Sequence, residues 1–221
     1  MEVELSEDKI TLYTRAMETD RKWIVVRIDG KLAGISRDYG RLADISARIA
    51  QEYQACENTA GTRAAKKRKT TEKSPTLPYG EITATAVTFE DILKLRHTAG
   101  WEDMMFFGTD FQKKVWRKLW EISHLLSYSD FAELCDNKAG VRAVAHAIAL
   151  NPLPVVIPCH LIVPKESIDK IHEIQKKAAA TIFKGDDLCL NSILQDQSID
   201  FGEYALGKDL KRRLISIDMT D

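Results

Sequence analysis

The sequence predicts an α+β protein built from a small sheet-and-helix unit followed by a helical unit, on three observations. Residues 23–36 alternate as two strands about Asp29-Gly30, and residues 41–55 carry apolar side chains at helical spacing. From about Gly108 the patterns are helical and close on an alanine-rich helix stopped by Asn151-Pro152. At 221 residues the chain is long enough to bury a sizeable core and to divide into two small domains. The division expected is residues 1–100 and 101–221.

The first elements follow from period and turn chemistry. Lys9 to Thr14 alternates as a strand. Trp23-Ile24-Val25-Val26-Arg27-Ile28 runs into Asp29-Gly30, a favoured two-residue hairpin turn, and Lys31 to Ser36 is the return strand. Leu42, Ile45, Ile49 and Tyr53 then recur at helical spacing, which lays a helix over roughly 41–55 against this sheet.

Between Asn58 and Pro78 the composition turns polar and basic, with Lys66-Lys67-Arg68-Lys69 followed by Thr, Glu, Ser and Pro. Such a stretch buries little apolar surface and reads as a loop or linker. The net charge of −1 means that any nucleic-acid binding would use a local basic face. The apolar runs fall far short of the ~20 residues of a membrane helix. The acidic N-terminus lacks a secretory pattern, so an intracellular location is expected. Cys56, Cys135, Cys159 and Cys189 form no Cys-x-x-Cys pair, so reduced thiols and no metal site are expected.

In the second unit Asp110 stands as N-cap of a helix with Phe111, Val115, Leu119 and Ile122 on one stripe, widened by Trp116 and Trp120 as core residues. Ser127 and Asp130 have capping-box spacing and open a short helix through Phe131, Ala132 and Leu134. After a turn at Asp136-Asn137-Lys138 comes the alanine-rich helix, residues 139–150. Short helix, tight turn and small-residue helix make a helix-turn-helix pattern, one shared by many helical hairpins that never meet DNA. Val155-Val156-Ile157 then reads as a short buried strand, followed by a turn at Pro158-Cys159-His160. The adjacent Cys-His pair alone does not distinguish a reactive thiol from a buried structural one. A papain-like hydrolase is disfavoured because its local cysteine signature is absent.

The whole stretch carries more. Phe111-Gln112-x-x-Val115-Trp116, Ser127-Tyr128, Val141-Arg142-Ala143-Val144-Ala145, Asn151-Pro152 and Ile157-Pro158-Cys159-His160, in this order, resemble the O6-alkylguanine-DNA alkyltransferases. Tyr204-x-x-Gly207-x-x-x-Lys211-x-x-Leu214-Ile215-x-x-Asp218 resembles that family's guanine-binding turn and final helix. The resemblance implies an N-terminal domain of ribonuclease-H-like topology and a C-terminal helical domain of winged-helix type. It also implies a monomer that flips O6-alkylguanine from double-stranded DNA through the minor groove. The alkyl group then passes irreversibly to the protein's own cysteine, once and without a cofactor.

It further implies roles for named residues. A thiol near pKa ~8.5 is only partly thiolate at neutral pH, and the thiolate is the nucleophile. Cys159 would be that nucleophile, with His160, through a water, and Asp218 relaying its proton. Tyr204 would donate to the departing ring, and backbone groups at Cys159, Ile162 and Ala205 would recognise the base edge. Arg142 would fill the place of the extruded base, Tyr128 would press on the rotating phosphate, and Asn151 would tie the recognition helix to the reactive turn. The location implied is the cytoplasm and nucleoid of a prokaryote or the nucleus of a eukaryote.

Three positions depart from the pattern. Leu161 stands where relatives usually carry arginine, and Asp218 where they usually carry glutamate. Cys159 and Tyr204 lie 45 positions apart, so an insertion occupies about 165–200. Within it Ile168, Ile171, Ile174, Ala178 and Ile182 share one helical face, with Lys170, Lys176, Lys177 and Lys184 elsewhere, and the helix is expected to be an accessory on the domain surface. The alternative is a lesion-binding or regulatory DNA-binding protein without transfer activity; the presence of Cys159 weighs against it.

Overall fold

The computed structural model describes residues 23–37, 40–51, 82–180, 193 and 196–220. The strand expected at 9–14, the basic stretch 58–78, Ile182 and Lys184 lie outside the described residues. The chain divides into two compact units between Thr109 and Asp110. Both helix and sheet are present, as the sequence predicts. Among the described residues no helix is long and apolar enough to cross a membrane.

In the first unit β1 (Trp23–Ile28) and β2 (Lys31–Ser36) form the expected hairpin, with Asp29 and Gly30 at φ 49° and 77°, the left-handed pair such a turn requires. A third strand, β3 (Ile82–Val87), pairs antiparallel with β1, giving the order β2-β1-β3. The central place of β1 explains why its sequence is a nearly unbroken apolar run. Helix α1, residues 40–51, packs Leu42, Ile45 and Ile49 into the same cluster as Ile24, Val26 and Ile28. It comes so close to β2 that a Cβ on Gly34 would lie 2.8 Å from the Ile45 side chain.

β3 and α2 (Phe89–Thr98) are not anticipated from the sequence. β3 hides because Ile-Thr-Ala-Thr-Ala-Val is weakly apolar and buries only Ala84 fully. α2 does announce itself: Thr88 and Asp91 form a reciprocal capping box, the Asp91 amide donating to Thr88 Oγ1 at 3.2 Å and the Thr88 amide to Asp91 Oδ2 at 3.1 Å.

The second unit opens with α3 (Asp110–Glu121), which buries Val115, Trp116 and Leu119. Phe111 departs from the expected stripe: on the helix's first turn, it is 37% exposed. Trp116 is core, as expected, and its indole N–H donates to the Ala147 carbonyl at 2.8 Å. Trp120 is half-buried. β4 (Leu126–Ser127) leads into α4 (Tyr128–Leu134), capped by Ser127 as predicted, with the Asp130 amide donating to Ser127 Oγ at 3.1 Å. A 3-10 turn at Lys138–Gly140 opens α5 (Val141–Ala149). The helix-turn-helix is therefore α4, that turn and α5.

One expectation is corrected. Val155-Val156-Ile157 is a buried turn, not a strand: the Ile157 amide donates to the Leu153 carbonyl at 2.8 Å, and Val155 sits at φ 75°. Apolar content suggests a strand there, but Pro154 has no amide hydrogen for a ladder and the Asn151 side chain organises the loop. Ile162 and Val163 form the short β5, parallel to β4, with Leu126 opposite Ile162 and Ser127 opposite Val163.

Helix α6 (Lys165–Ala180) packs by the face expected from the sequence, with Lys170, Lys176 and Lys177 exposed. Its Ile171 is buried in one cluster with Val163, Ile193, Ile199, Phe201 and Ile215, and Ile168 and Ile174 pack on the same cluster. Ile215 belongs to α7 (Lys208–Thr220), the last helix. The returning chain is fastened there too: the Arg212 guanidinium donates to the Ile199 carbonyl at 2.6 Å and lies over the Phe201 ring, 4.7 Å from its centroid.

Candidate active site around Cys159

Asn151 follows α5 and is completely buried. Its Oδ1 accepts from the Leu153 amide at 3.0 Å, while Nδ2 donates to the Ile157 carbonyl and to Cys159 Sγ, both at 3.1 Å. One amide group thus fixes both ends of the Asn151–Cys159 loop and places a donor on the sulfur. A buried loop needs such a partner, because its backbone groups would otherwise go unsatisfied.

Cys159 opens a 3-10 turn, Cys159–Leu161, and is 6% exposed. His160 is fully buried, and its Nε2 lies 2.8 Å from Asp218 Oδ2, whose side chain is 8% exposed. The pairing spans 58 residues and joins the reactive turn to the end of α7. A carboxylate held on one imidazole nitrogen fixes the ring and stabilises its protonated form, which is what a base beside a thiol needs. The shorter aspartate at this position reaches the ring directly.

Tyr204 stands edge-on to the same imidazole, ring centroids 6.4 Å apart. Ala205 lies in the following turn, closed by the Gly207 amide donating to the Tyr204 carbonyl at 3.0 Å. Tyr128, the first residue of α4, is half-buried; burial pushes its phenol above the usual range, and negative charge at Cys159 and Glu203 adds to the shift. Arg142 and Ala143 are exposed at the start of α5, whereas Val144 is fully buried. Cys159, His160, Asp218, Tyr204, Asn151 and Ile162 thus come together around one turn, while Arg142 stands apart on the helix surface.

Sequence reasoning did not single out Lys211 for a role, although it is the most unusual group here. The residue is 1% exposed, and its ammonium donates to the Ile162 carbonyl at 2.7 Å and sits 6.0 Å from the Tyr128 ring centroid. Burial pulls its pKa down to about 8, against the opposing pull of negative charge at Cys159. The signal was available: Lys211, Leu214, Ile215 and Asp218 share the inner face of α7 at helical spacing, which puts a lysine where a hydrophobe belongs. Among the described residues no group of acidic, histidine and cysteine side chains is suited to hold a metal.

Residues 110–180 match the family described as 6-O-methylguanine DNA methyltransferase, DNA binding domain. A probable methylated-DNA-protein-cysteine methyltransferase of Acanthamoeba polyphaga mimivirus is 42% identical over 67 residues, 29% of this chain and 45% of the relative. The inducible enzyme of that name from Bacillus subtilis is 44% identical over 62 residues, 27% of this chain and 35% of the relative. The chain thus spans less than half the length of these relatives. A solved O6-methylguanine-DNA methyltransferase from Pyrococcus kodakaraensis is 22% identical, over 89% of this chain and 91% of that one, at a TM-score of 0.45. The resemblance to O6-alkylguanine-DNA alkyltransferases read in the sequence is met in the second unit: its residues 110–180, with the helix-turn-helix and Cys159, are similar to this family's DNA-binding domain.

Proposed function

We propose that this protein repairs O6-alkylguanine in double-stranded DNA by moving the alkyl group onto its own Cys159, once per molecule. The observation that carries the reading is the convergence of the Cys159 turn, the His160–Asp218 pair at 2.8 Å and the Asn151 amide on the sulfur at 3.1 Å, directly after a helix-turn-helix. In this reading His160, reached through a water, takes the thiol proton, and Asp218 stabilises the resulting imidazolium. The Cys159 sulfur attacks the alkyl carbon, a C–S bond forms and the C–O6 bond breaks. Tyr204 supplies a hydrogen bond or proton to the departing guanine. The thioether product resists hydrolysis, so the reaction is not catalytic.

Recognition in this reading uses backbone groups at Cys159, Ile162 and Ala205 on the base edge. Extrusion uses Arg142 in the vacated stack and Tyr128 on the phosphate. The exposed Arg142 and its small neighbour Ala143 on α5 support a close approach to the minor groove. Asn151 ties that helix to the thiol. Two domains are proposed: residues 1–100, of ribonuclease-H-like topology, supported by the antiparallel sheet with its packed helix, and residues 101–221, of winged-helix type, supported by the β4-β5 ladder beside the helix-turn-helix. The protein would act as a monomer, in the nucleoid or the nucleus according to its source.

The experiment is intact-mass measurement after incubation with a methylguanine oligonucleotide duplex. One methyl mass should appear, stoichiometrically, and be lost in Cys159→Ser while DNA binding survives. Multiple turnover, or methylation of Cys135, would refute the reading.

A further inference from the structure

Residues 199–207 contain neither helix nor strand, yet they carry Tyr204 and Ala205. The segment is anchored at its root, where Phe201 is buried and the Ser167 hydroxyl donates to the Asp200 carbonyl at 2.5 Å. Beyond that root two small closures shape it. The Gly202 amide donates to Asp200 Oδ1 at 3.0 Å, with Gly202 at φ 82°, and the Gly207 amide donates to the Tyr204 carbonyl at 3.0 Å, with Gly207 at φ 97°. Lys208, the first residue of α7, joins the two ends. Its ammonium lies 2.9 Å from Glu203 Oε1 and donates to Asp200 Oδ1 at 3.4 Å, so one cation spans two carboxylates that precede Tyr204. A lysine at the first position of a helix stands against the helix dipole, and the two carboxylates offset that placement. Hydrogen bonding to Glu203 and Asp200 holds the ammonium above the ordinary lysine range, and the Gly202 amide holds the Asp200 carboxyl below the ordinary carboxylate range, so both are charged at neutral pH.

We infer that Lys208 is a positioning residue for alkyl transfer: it clamps the Asp200–Lys208 segment closed and so holds Tyr204 and Ala205 in the arrangement that receives the base. The inference rests on the proposed function, in which Tyr204 donates to the departing ring and Ala205 meets the base edge. Lys208 acts through the segment and not on the reacting atoms. The Asp200 and Glu203 side chains are 69% and 87% exposed, and an exposed ion pair is weak on its own. Here two pairs share one ammonium and act on a segment with no ladder or helix of its own, where a small bias sets the fraction of molecules in which it is closed. The apparent affinity for the base scales with that fraction. Opening the clamp therefore raises the concentration of base required and leaves the rate of transfer from bound base unchanged. Salt, which screens exposed charges, acts in the same direction.

The test uses the full chain and free O6-benzylguanine, an uncharged substrate that brings no phosphate. In Lys208→Met the concentration giving half the limiting rate of Cys159 benzylation should rise about two- to fivefold with the limiting rate unchanged, and Lys208→Arg should restore it. Salt at about 1 M should move the native value toward that of Lys208→Met and leave the variant where it is. Asp200→Asn with Glu203→Gln, which keeps an oxygen for the Gly202 amide, should match Lys208→Met, and combining all three changes should add nothing. Amide hydrogen exchange reads the clamp without substrate: the Gly207 amide should exchange severalfold faster in Lys208→Met, and the Leu161 amide, bonded to the Pro158 carbonyl in the Cys159 turn, at the native rate. Unchanged exchange at Gly207 overturns the clamp. Faster exchange with an unchanged half-saturating concentration, or a loss confined to the limiting rate, overturns the positioning role. An unmodified Cys159 in the native protein, given free base or methylguanine duplex, would instead overturn the repair reading and the positioning role with it, while the exchange result still judges the clamp.

Discussion

Lys211 carries its ammonium through the interior of the second unit to the carbonyl oxygen of Ile162, 2.7 Å away and 49 residues earlier in the chain. Ile162 is also a rung of the β4-β5 ladder, so the lysine fastens α7 to the strand that follows the reactive turn. That arrangement buries a charge at a position 1% exposed, and the depressed pKa of about 8 records the cost.

The cost has a sign that can be measured. In the unfolded chain Lys211 holds its proton up to the ordinary lysine pKa of 10.5, while in the folded protein it releases it at about 8. Between these values the unfolded state holds more protons, so this group's contribution to stability rises with pH from about 8 to 10.5 and is least favourable below 8. The full swing is on the order of 3 kcal/mol. Urea unfolding of the native protein and of Lys211→Met across this window should show the difference between them changing in that direction. A difference independent of pH would mean that Lys211 keeps the pKa of an ordinary, hydrated lysine in the fold.

Arg142 tests the proposed extrusion step. Arg142→Ala should slow repair of duplex DNA far more than reaction with free O6-benzylguanine, since free base needs no flipping. Paired single-turnover rates decide it, and equal losses on both substrates would assign Arg142 to the fold or the thiol instead.

Asn151 joins a stability effect to a chemical one. Asn151→Ala removes three hydrogen bonds inside a fully buried loop, leaving the Leu153 amide and the Ile157 carbonyl to find new partners. A loss of about 2–4 kcal/mol is expected by denaturant unfolding. Thiol titration with a neutral alkylating agent should show slower reaction at Cys159, because the donor on the sulfur is gone. Full stability in this variant would contradict the bonding described.

The insertion should not be dispensable. Ile171→Ala opens the cluster shared by α6 and α7 and should cost about 2–4 kcal/mol, and replacing residues 166–200 by a short loop should strip α7 of packing near Asp218. Reaction with free O6-benzylguanine would then fall. A deletion variant that folds and reacts at the native rate would restore the reading of α6 as an accessory.

Much of this was legible in advance because it is local. The Asp29-Gly30 turn, the Ser127 cap and the helical stripe through Val115 and Leu119 are written in neighbouring residues. The Cys159–His160 turn and Asp218 were found as parts of a pattern, not from periodicity. What escaped was set by distant partners. β3 is a strand because β1 offers it an edge, its own sequence being weakly apolar. Val155 to Ile157 turn because Asn151 holds them, against their strand-like composition. Lys211 enters the sequence reading only as one position of the family pattern, and its burial emerges with the fold, although its place on the Leu214–Asp218 face could have been noticed.

The two-rung ladder between β4 and β5 has a mechanical consequence. Ser127 is at once a rung beside Val163 and the cap that starts α4, and Leu126 faces Ile162 only three residues beyond Cys159. The two short helices and the Cys159 turn are therefore joined through one two-rung ladder. If α4 and α5 enter a DNA groove as proposed, the sulfur would come to rest with them, so that docking and the proposed chemistry would be registered by one motion and a slip along the duplex would move the thiol off target by the same distance.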